Sequence, residues 1–159
     1  MSLLLTLKKI MQIKNIRHTG IVVDNLKKSL NFYKKLMGFK IKKRMIEKGI
    51  ATDRLSRLKN TKVETVKMYI GKNKDQIELL DFQSHKRKNN QKNYNISKIG
   101  ISHFALTVKN LDKTYSKLKK AGINFTCKPI LSNDGNVKLT FCRAPEGTLI
   151  ELVEELSKK

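Results

Sequence analysis

The chain repeats itself, and the repeat narrows the folds open to it more than any other feature. Ile16-Arg-His-Thr-Gly-Ile-Val-Val-Asp-Asn-Leu26 lines up with Ile101-Ser-His-Phe-Ala-Leu-Thr-Val-Lys-Asn-Leu111 at an offset of 85, which sets Ile16, His18, Val23, Asn25 and Leu26 on Ile101, His103, Val108, Asn110 and Leu111. A second echo sets Ile77-Glu78-Leu79-Leu80 on Ile150-Glu151-Leu152-Val153 at an offset of 73. The halves share an opening and an ending and differ by about a dozen residues in between. A duplicated unit accounts for both echoes.

Each unit reads as βαβββ. A short β-branched run, 16–23 or 99–108, predicts a strand. A helix follows, capped by Asp24 or Asn25 in the first unit and by Asn110 in the second, with apolar stripes at Leu26, Leu30, Tyr33 and Met37 and at Leu111, Tyr115 and Leu118. Gly38 and Gly122 stand where a helix C-terminus calls for glycine. Three strands then follow, predicted over 40–46, 65–70 and 76–81 in the first unit and over 124–131, 137–142 and 148–154 in the second. Turns at Asn133-Asp134-Gly135-Asn136 and Pro145-Glu146-Gly147 punctuate the second set. The chain thus divides into a first module over 14–81, a basic linker over 82–98 and a second module over 99–154, all within one structural domain. Residues 47–62 are an extra segment in the first module. Patterned sequence begins just after Met11, an alternative start that would make residues 1–10 a peripheral extension.

Of the 159 residues, 35 are Lys or Arg and 13 Asp or Glu, a net charge of +22. Such a charge invites a nucleic-acid reading. The lysines, however, are spread along the chain, no nucleic-acid motif appears, and only six Phe and four Tyr are available for stacking on bases. The abundance of Asn, Lys and Ile together is what an AT-rich genome produces. A nucleic-acid partner is therefore not expected, and attraction of an anionic substrate is the milder functional reading. No apolar run approaches the roughly 18 residues of a membrane span, and MSLLLTLKK is too short for a signal segment. Cys127 and Cys142 fit two reduced thiols. The expectation is a soluble cytoplasmic protein with no membrane partner.

The repeat places His18 and His103 on the first strand of each unit and Glu78 and Glu151 on the last. Strand alternation sets Ile21 and Val23 opposite His18, Ile77 and Leu79 opposite Glu78, and Ile150 and Leu152 opposite Glu151. The apolar set packs against the helix and the polar set is left on the other, concave face. Two imidazoles and two carboxylates together need a partner, and one divalent ion satisfies all four. The donor set suits Zn, Ni, Co, Mn or Fe(II) better than Ca or Mg, and the two carboxylates cancel the ion's charge.

The segments HTGIVVDNLKKSLNFY, GFK, QIELL, SHFALTV and EGTLIELV resemble the vicinal oxygen chelate superfamily, which includes glyoxalase I, methylmalonyl-CoA epimerase, extradiol dioxygenases and the fosfomycin and bleomycin resistance proteins. The resemblance spans about 14–154. It implies an α+β fold in which two tandem βαβββ modules form an open, cup-shaped mixed β-barrel with helices outside, and it implies His18, Glu78, His103 and Glu151 as the metal ligands. A full His/Glu/His/Glu set resembles the isomerase and lyase branch, since extradiol dioxygenases and fosfomycin enzymes use three ligands and bleomycin-binding members lack the set. The segment 47–62 departs from short glyoxalase I proteins.

The function expected is a divalent-metal-dependent lyase or isomerase, similar to lactoylglutathione lyase or an epimerase. Its substrate would chelate the metal through adjacent oxygens and lose a proton beside a carbonyl to Glu151 or Glu78. A small anionic substrate is expected: a thiol conjugate, a coenzyme A ester or a 2-oxo compound. A homodimer is implied by analogy. Glu47 and Asp53 are candidates for an opposing acid, and Arg17, Arg54, Arg57 and Arg143 for gripping an anion. The alternatives are a non-haem iron dioxygenase and a metal-free small-molecule binding or resistance protein.

Overall fold

The computed structural model describes residues 13–72, 75–86, 96–97 and 99–156. In the first half, β1 (Thr19–Val22) leads into α1 (Leu26–Leu30), which continues as a π-helical turn over Asn31–Leu36. Then come β2 (Lys40–Lys48), α2 (Ile50–Ser56), β3 (Lys62–Ile70) and β4 (Asp75–Phe82). The second half runs β5 (His103–Thr107), α3 (Leu111–Lys120), β6 (Ile130–Leu131), β7 (Val137–Arg143) and β8 (Leu149–Glu155). Each half forms a four-stranded mixed sheet, ordered β1-β4-β3-β2 and β5-β8-β7-β6. In both, the first strand lies parallel to the last, and the other pairs are antiparallel. The two sheets are topological copies, as the repeat requires.

The helices start and stop for the same reasons in both copies. The Asn25 side chain accepts from the Lys28 amide at 3.0 Å, and Asn110 accepts from the Lys113 amide at 2.8 Å, each satisfying an amide that the helix leaves open. Gly38 (φ 83°) and Gly122 (φ 82°) end them in the left-handed region.

The apolar faces of the two sheets and their helices share one core. Ile21, Val66, Met68, Ile77 and Leu79 of the first half belong to the same buried cluster as Leu111, Leu118, Cys142, Ile150 and Leu152 of the second. Full burial of each large side chain contributes about 1.5–3 kcal/mol, so this shared core holds both halves.

Three details differ from the sequence expectation. The stripe of the first helix is wider than Leu26, Leu30, Tyr33 and Met37. The π turn, seen in the Met37 amide bonding to the Phe32 carbonyl at 3.0 Å, rotates Phe32 inward beside Tyr33, and Ser29 is buried too. The strand predicted over 124–131 survives as an isolated Phe125–Cys142 bridge and the two residues of β6. Pro129 has no N–H for a ladder, and the Cys127 carbonyl takes the Thr140 hydroxyl at 2.7 Å instead. The extra segment is shorter than 47–62, because β2 and β3 extend into it and leave only α2 and its flanking turns outside the sheet. Of the basic linker, 87–95 and 98 lie outside the described residues.

Both cysteines are free thiols. Cys142 packs in the core, where burial pushes its pKa up to about 12, so it does not line a site. Among the described residues no helix is long and apolar enough to cross a membrane.

Candidate metal centre

His18 immediately precedes β1, and Glu78 lies mid-way along the neighbouring β4. Their side chains meet on the face opposite Ile77 and Leu79, with Nε2 of His18 3.2 Å from Oε2 of Glu78. In the second sheet His103 opens β5 and Glu151 lies on β8, and Nε2 of His103 is 3.3 Å from Oε2 of Glu151. All four side chains are partly exposed: 29% and 14% for the first pair, 31% and 22% for the second. The residue paired with each glutamate on the parallel first strand is small, Gly20 beside Glu78 and Ala105 beside Glu151, and both are exposed. The histidine is thus the side chain from that end of the sheet that reaches each carboxylate.

Among the described residues, no group of three or more His, Cys, Asp or Glu converges. The structure brings the four expected ligands together as two pairs, not as one set of four within a chain. Each pair sets an imidazole nitrogen beside a carboxylate, a donor chemistry that fits half the coordination of a divalent transition ion. The ring of His103 is fixed from two further sides. Its Nδ1 lies 2.7 Å from the Ser102 hydroxyl, and Phe141 packs edge-on against the ring with centroids 5.0 Å apart. When Nδ1 donates to Ser102, Nε2 is left with a free lone pair, the form a metal ligand needs.

The first pair has a third member. Lys67, the cross-strand partner of Glu78 on β3, places Nζ 3.4 Å from Oε1. Sequence reasoning missed it, although its position between the buried Val66 and Met68 marks it as pointing away from the core. Ser102 and Phe141 were missed because nothing in spacing alone joins them to His103.

The other candidates disperse. The Asp53 carboxylate accepts from the Thr61 amide at 2.7 Å and the Asn60 amide at 2.9 Å. These bonds, the one from Thr61 foremost, hold its pKa below the usual carboxylate range. Asp53 is a brace for the turn after α2 and is unsuited to donating a proton. Glu47 is half-buried on the edge strand β2. Arg17, Arg54 and Arg57 are exposed, and Arg143 gives one N–H to the Gly147 carbonyl at 3.1 Å. His85, in the linker, bonds through Nδ1 with Ser84 at 2.8 Å.

A buried carboxylate lies elsewhere. Glu146, on the turn before β8, is 6% exposed and accepts from the Tyr33 hydroxyl at 2.6 Å and the Ser29 hydroxyl at 3.1 Å. Desolvation raises its pKa, and the bonds from Tyr33, Thr148 and Ser29 offset that only in part. The turn was legible in the sequence. The burial was not, because it depends on the first helix of the other half.

The sequence model of the Glyoxalase/Bleomycin resistance protein/Dioxygenase superfamily matches residues 15–152, and the chain belongs to that superfamily. No curated protein matches the sequence. Among solved structures, a glyoxalase family protein of Bacillus cereus superposes with a TM-score of 0.84 at 23% identity, covering 94% of this chain and 99% of the other. A glyoxalase family protein of Enterococcus faecalis gives 0.66 at 21%, covering 91% and 100%. The trypanothione-dependent glyoxalase I of Leishmania major gives 0.62 at 20%, covering 90% and 88%. At these identities the likeness establishes the fold.

Proposed function

We propose that this chain is a divalent-metal-dependent isomerase or lyase that removes a proton beside a carbonyl, acting on a small anionic substrate with adjacent oxygens. The observation that carries the reading is the duplication of the site: an imidazole Nε2 sits 3.2 Å or 3.3 Å from a carboxylate oxygen at equivalent places on both sheets. Neither pair is a full ligand set. The reading therefore includes a homodimer in which His18 and Glu78 of one copy face His103 and Glu151 of the other, a symmetric arrangement that builds two sites at once.

A bound divalent ion supplies Lewis-acid stabilisation of negative charge developing on the substrate oxygens. The chain's own residues do the rest. Glu151 is the better-placed base, because Glu78 already has an oxygen occupied by the Lys67 ammonium at 3.4 Å. Phe141 and Ser102 keep the His103 ring from turning, so the pair holds its shape as the proton moves.

The test is complementation. Wild-type protein, stripped and refilled with Co(II), is expected to hold about one ion per chain, and His18→Ala and His103→Ala each to hold none. Co-expressed, the two variants form mixed dimers in which one site has both intact halves. Binding then returns to about a quarter of an ion per chain for random pairing. No return on mixing, with wild type loaded, would place the whole set within one chain. No loading of folded wild type would leave a metal-free binding protein as the function.

A further inference from the structure

The duplication supplies an internal comparison at the site. The residue directly across from Glu78 on the antiparallel neighbour is Lys67, and the residue directly across from Glu151 is Phe141. The same register position therefore carries an ammonium in one half and an aromatic ring in the other. Phe141 has a packing role, edge-on against His103. Lys67 has no comparable one. It is 29% exposed, and a partly solvated lysine–carboxylate pair contributes little to stability. Lys43 on β2 is the next residue of the same row, so the row runs Lys43, Lys67, Glu78, Gly20 across the sheet.

Charge counting shows what the lysine does. A dication with two glutamates is neutral, so Lys67 against Glu78, with Lys43 behind it in the row, leaves the site net positive. A site of that sign favours a ligand with one negative charge and resists a neutral one of the same shape. We propose that Lys67 is the specificity-determining residue of the site, selecting substrates in which a carboxylate supplies one of the two adjacent chelating oxygens. The anionic end lies toward Lys67 and the uncharged end toward Phe141. This rests on the metal-dependent reading above.

Oxamate and oxamide share a two-carbon skeleton and differ by one negative charge, and both perturb the visible absorption of bound Co(II). Co(II)-loaded wild type is expected to bind oxamate more tightly than oxamide. Lys67→Met is expected to weaken oxamate binding at least about tenfold while leaving oxamide binding and Co(II) stoichiometry unchanged, and Lys67→Arg to retain the preference. Lys119→Met, on the exposed side of α3, lowers the net charge equally and is expected to change neither affinity. The proposal is overturned if Lys67→Met binds oxamate as wild type does, if it loses both ligands equally, or if it loses Co(II) and so shows that Lys67 merely holds Glu78. Wild type that binds no Co(II) sinks the metal reading and this assignment together. Loaded wild type with no oxamate preference sinks this assignment alone.

Discussion

The Tyr33 hydroxyl donates to Oε1 of Glu146 at 2.6 Å, joining the first helix of one half to the last turn of the other across 113 residues of sequence. Glu146→Ala removes the carboxylate that accepts from the buried Tyr33 and Ser29 hydroxyls and is expected to cost about 2–4 kcal/mol in urea unfolding. Glu146→Gln keeps the shape and an acceptor oxygen and is expected to cost only about 1 kcal/mol. Because burial raises the folded pKa of Glu146 above its unfolded value, the native state holds this proton more tightly. Its contribution is full below the unfolded pKa and is lost as pH rises through the folded one. Subtracting the Glu146→Gln stability curve from that of wild type is expected to show this fall. A flat difference would mean that the carboxylate is no harder to ionise in the folded state.

Ser102 touches no substrate in the proposed reading, yet its hydroxyl lies 2.7 Å from Nδ1 of His103. Partners of this kind set ligand orientation and tautomer, and their removal costs metal affinity about 10–100-fold. Ser102→Ala is expected to weaken Co(II) binding within that range in a competition with a coloured chelator, with the urea midpoint unchanged. Unchanged affinity would show that Phe141 alone holds the ring.

How far the sequence revealed all this depends on how local each feature is. The helix starts, the αL glycines, the βαβββ element order and the alternation that sets His18, Glu78, His103 and Glu151 on one type of face follow from short-range rules applied to a repeat. The pairing of His18 with Glu78 and of His103 with Glu151 follows once the parallel register is known. What escaped is non-local. Glu146 looks like an ordinary turn residue until Tyr33 arrives from the other half, and Lys67 looks like one lysine among many until β3 pairs with β4. Asp53 reads as a loose surface acid because its acceptor role needs the backbone of Asn60 and Thr61 folded back onto it. The expected strand over 124–131 runs across Pro129, whose missing N–H breaks the ladder there.

The bonds from Asn60 and Thr61 to Asp53 close the extra segment on itself, and Arg57 (φ 57°) and Asn60 (φ 55°) hold left-handed conformations within it. Asp53→Ala removes both acceptors and is expected to speed amide exchange at Asn60 and Thr61, leaving β3 and β4 protected. The midpoint of global unfolding is expected to move little, since no residue of α2 is buried. Equal loss of protection throughout the first sheet would show that the segment is part of the cooperative core.

Gly38 and Gly122 test whether the two halves are energetic as well as geometric copies. Both end a helix at φ near 83° (83° and 82°), and a Cβ added at either meets no atom within 4 Å. The cost of alanine is therefore conformational alone, about 1–2 kcal/mol for placing an L-residue in the left-handed region. Gly38→Ala and Gly122→Ala are expected to lower the unfolding free energy by similar amounts, with the double variant additive because the Cβ added at either meets no other atom. Unequal costs, with Gly38→Ala the larger, would locate extra strain in the π turn, where the Phe39 amide must reach back to the Tyr33 carbonyl at 2.9 Å and seat Tyr33 against Glu146.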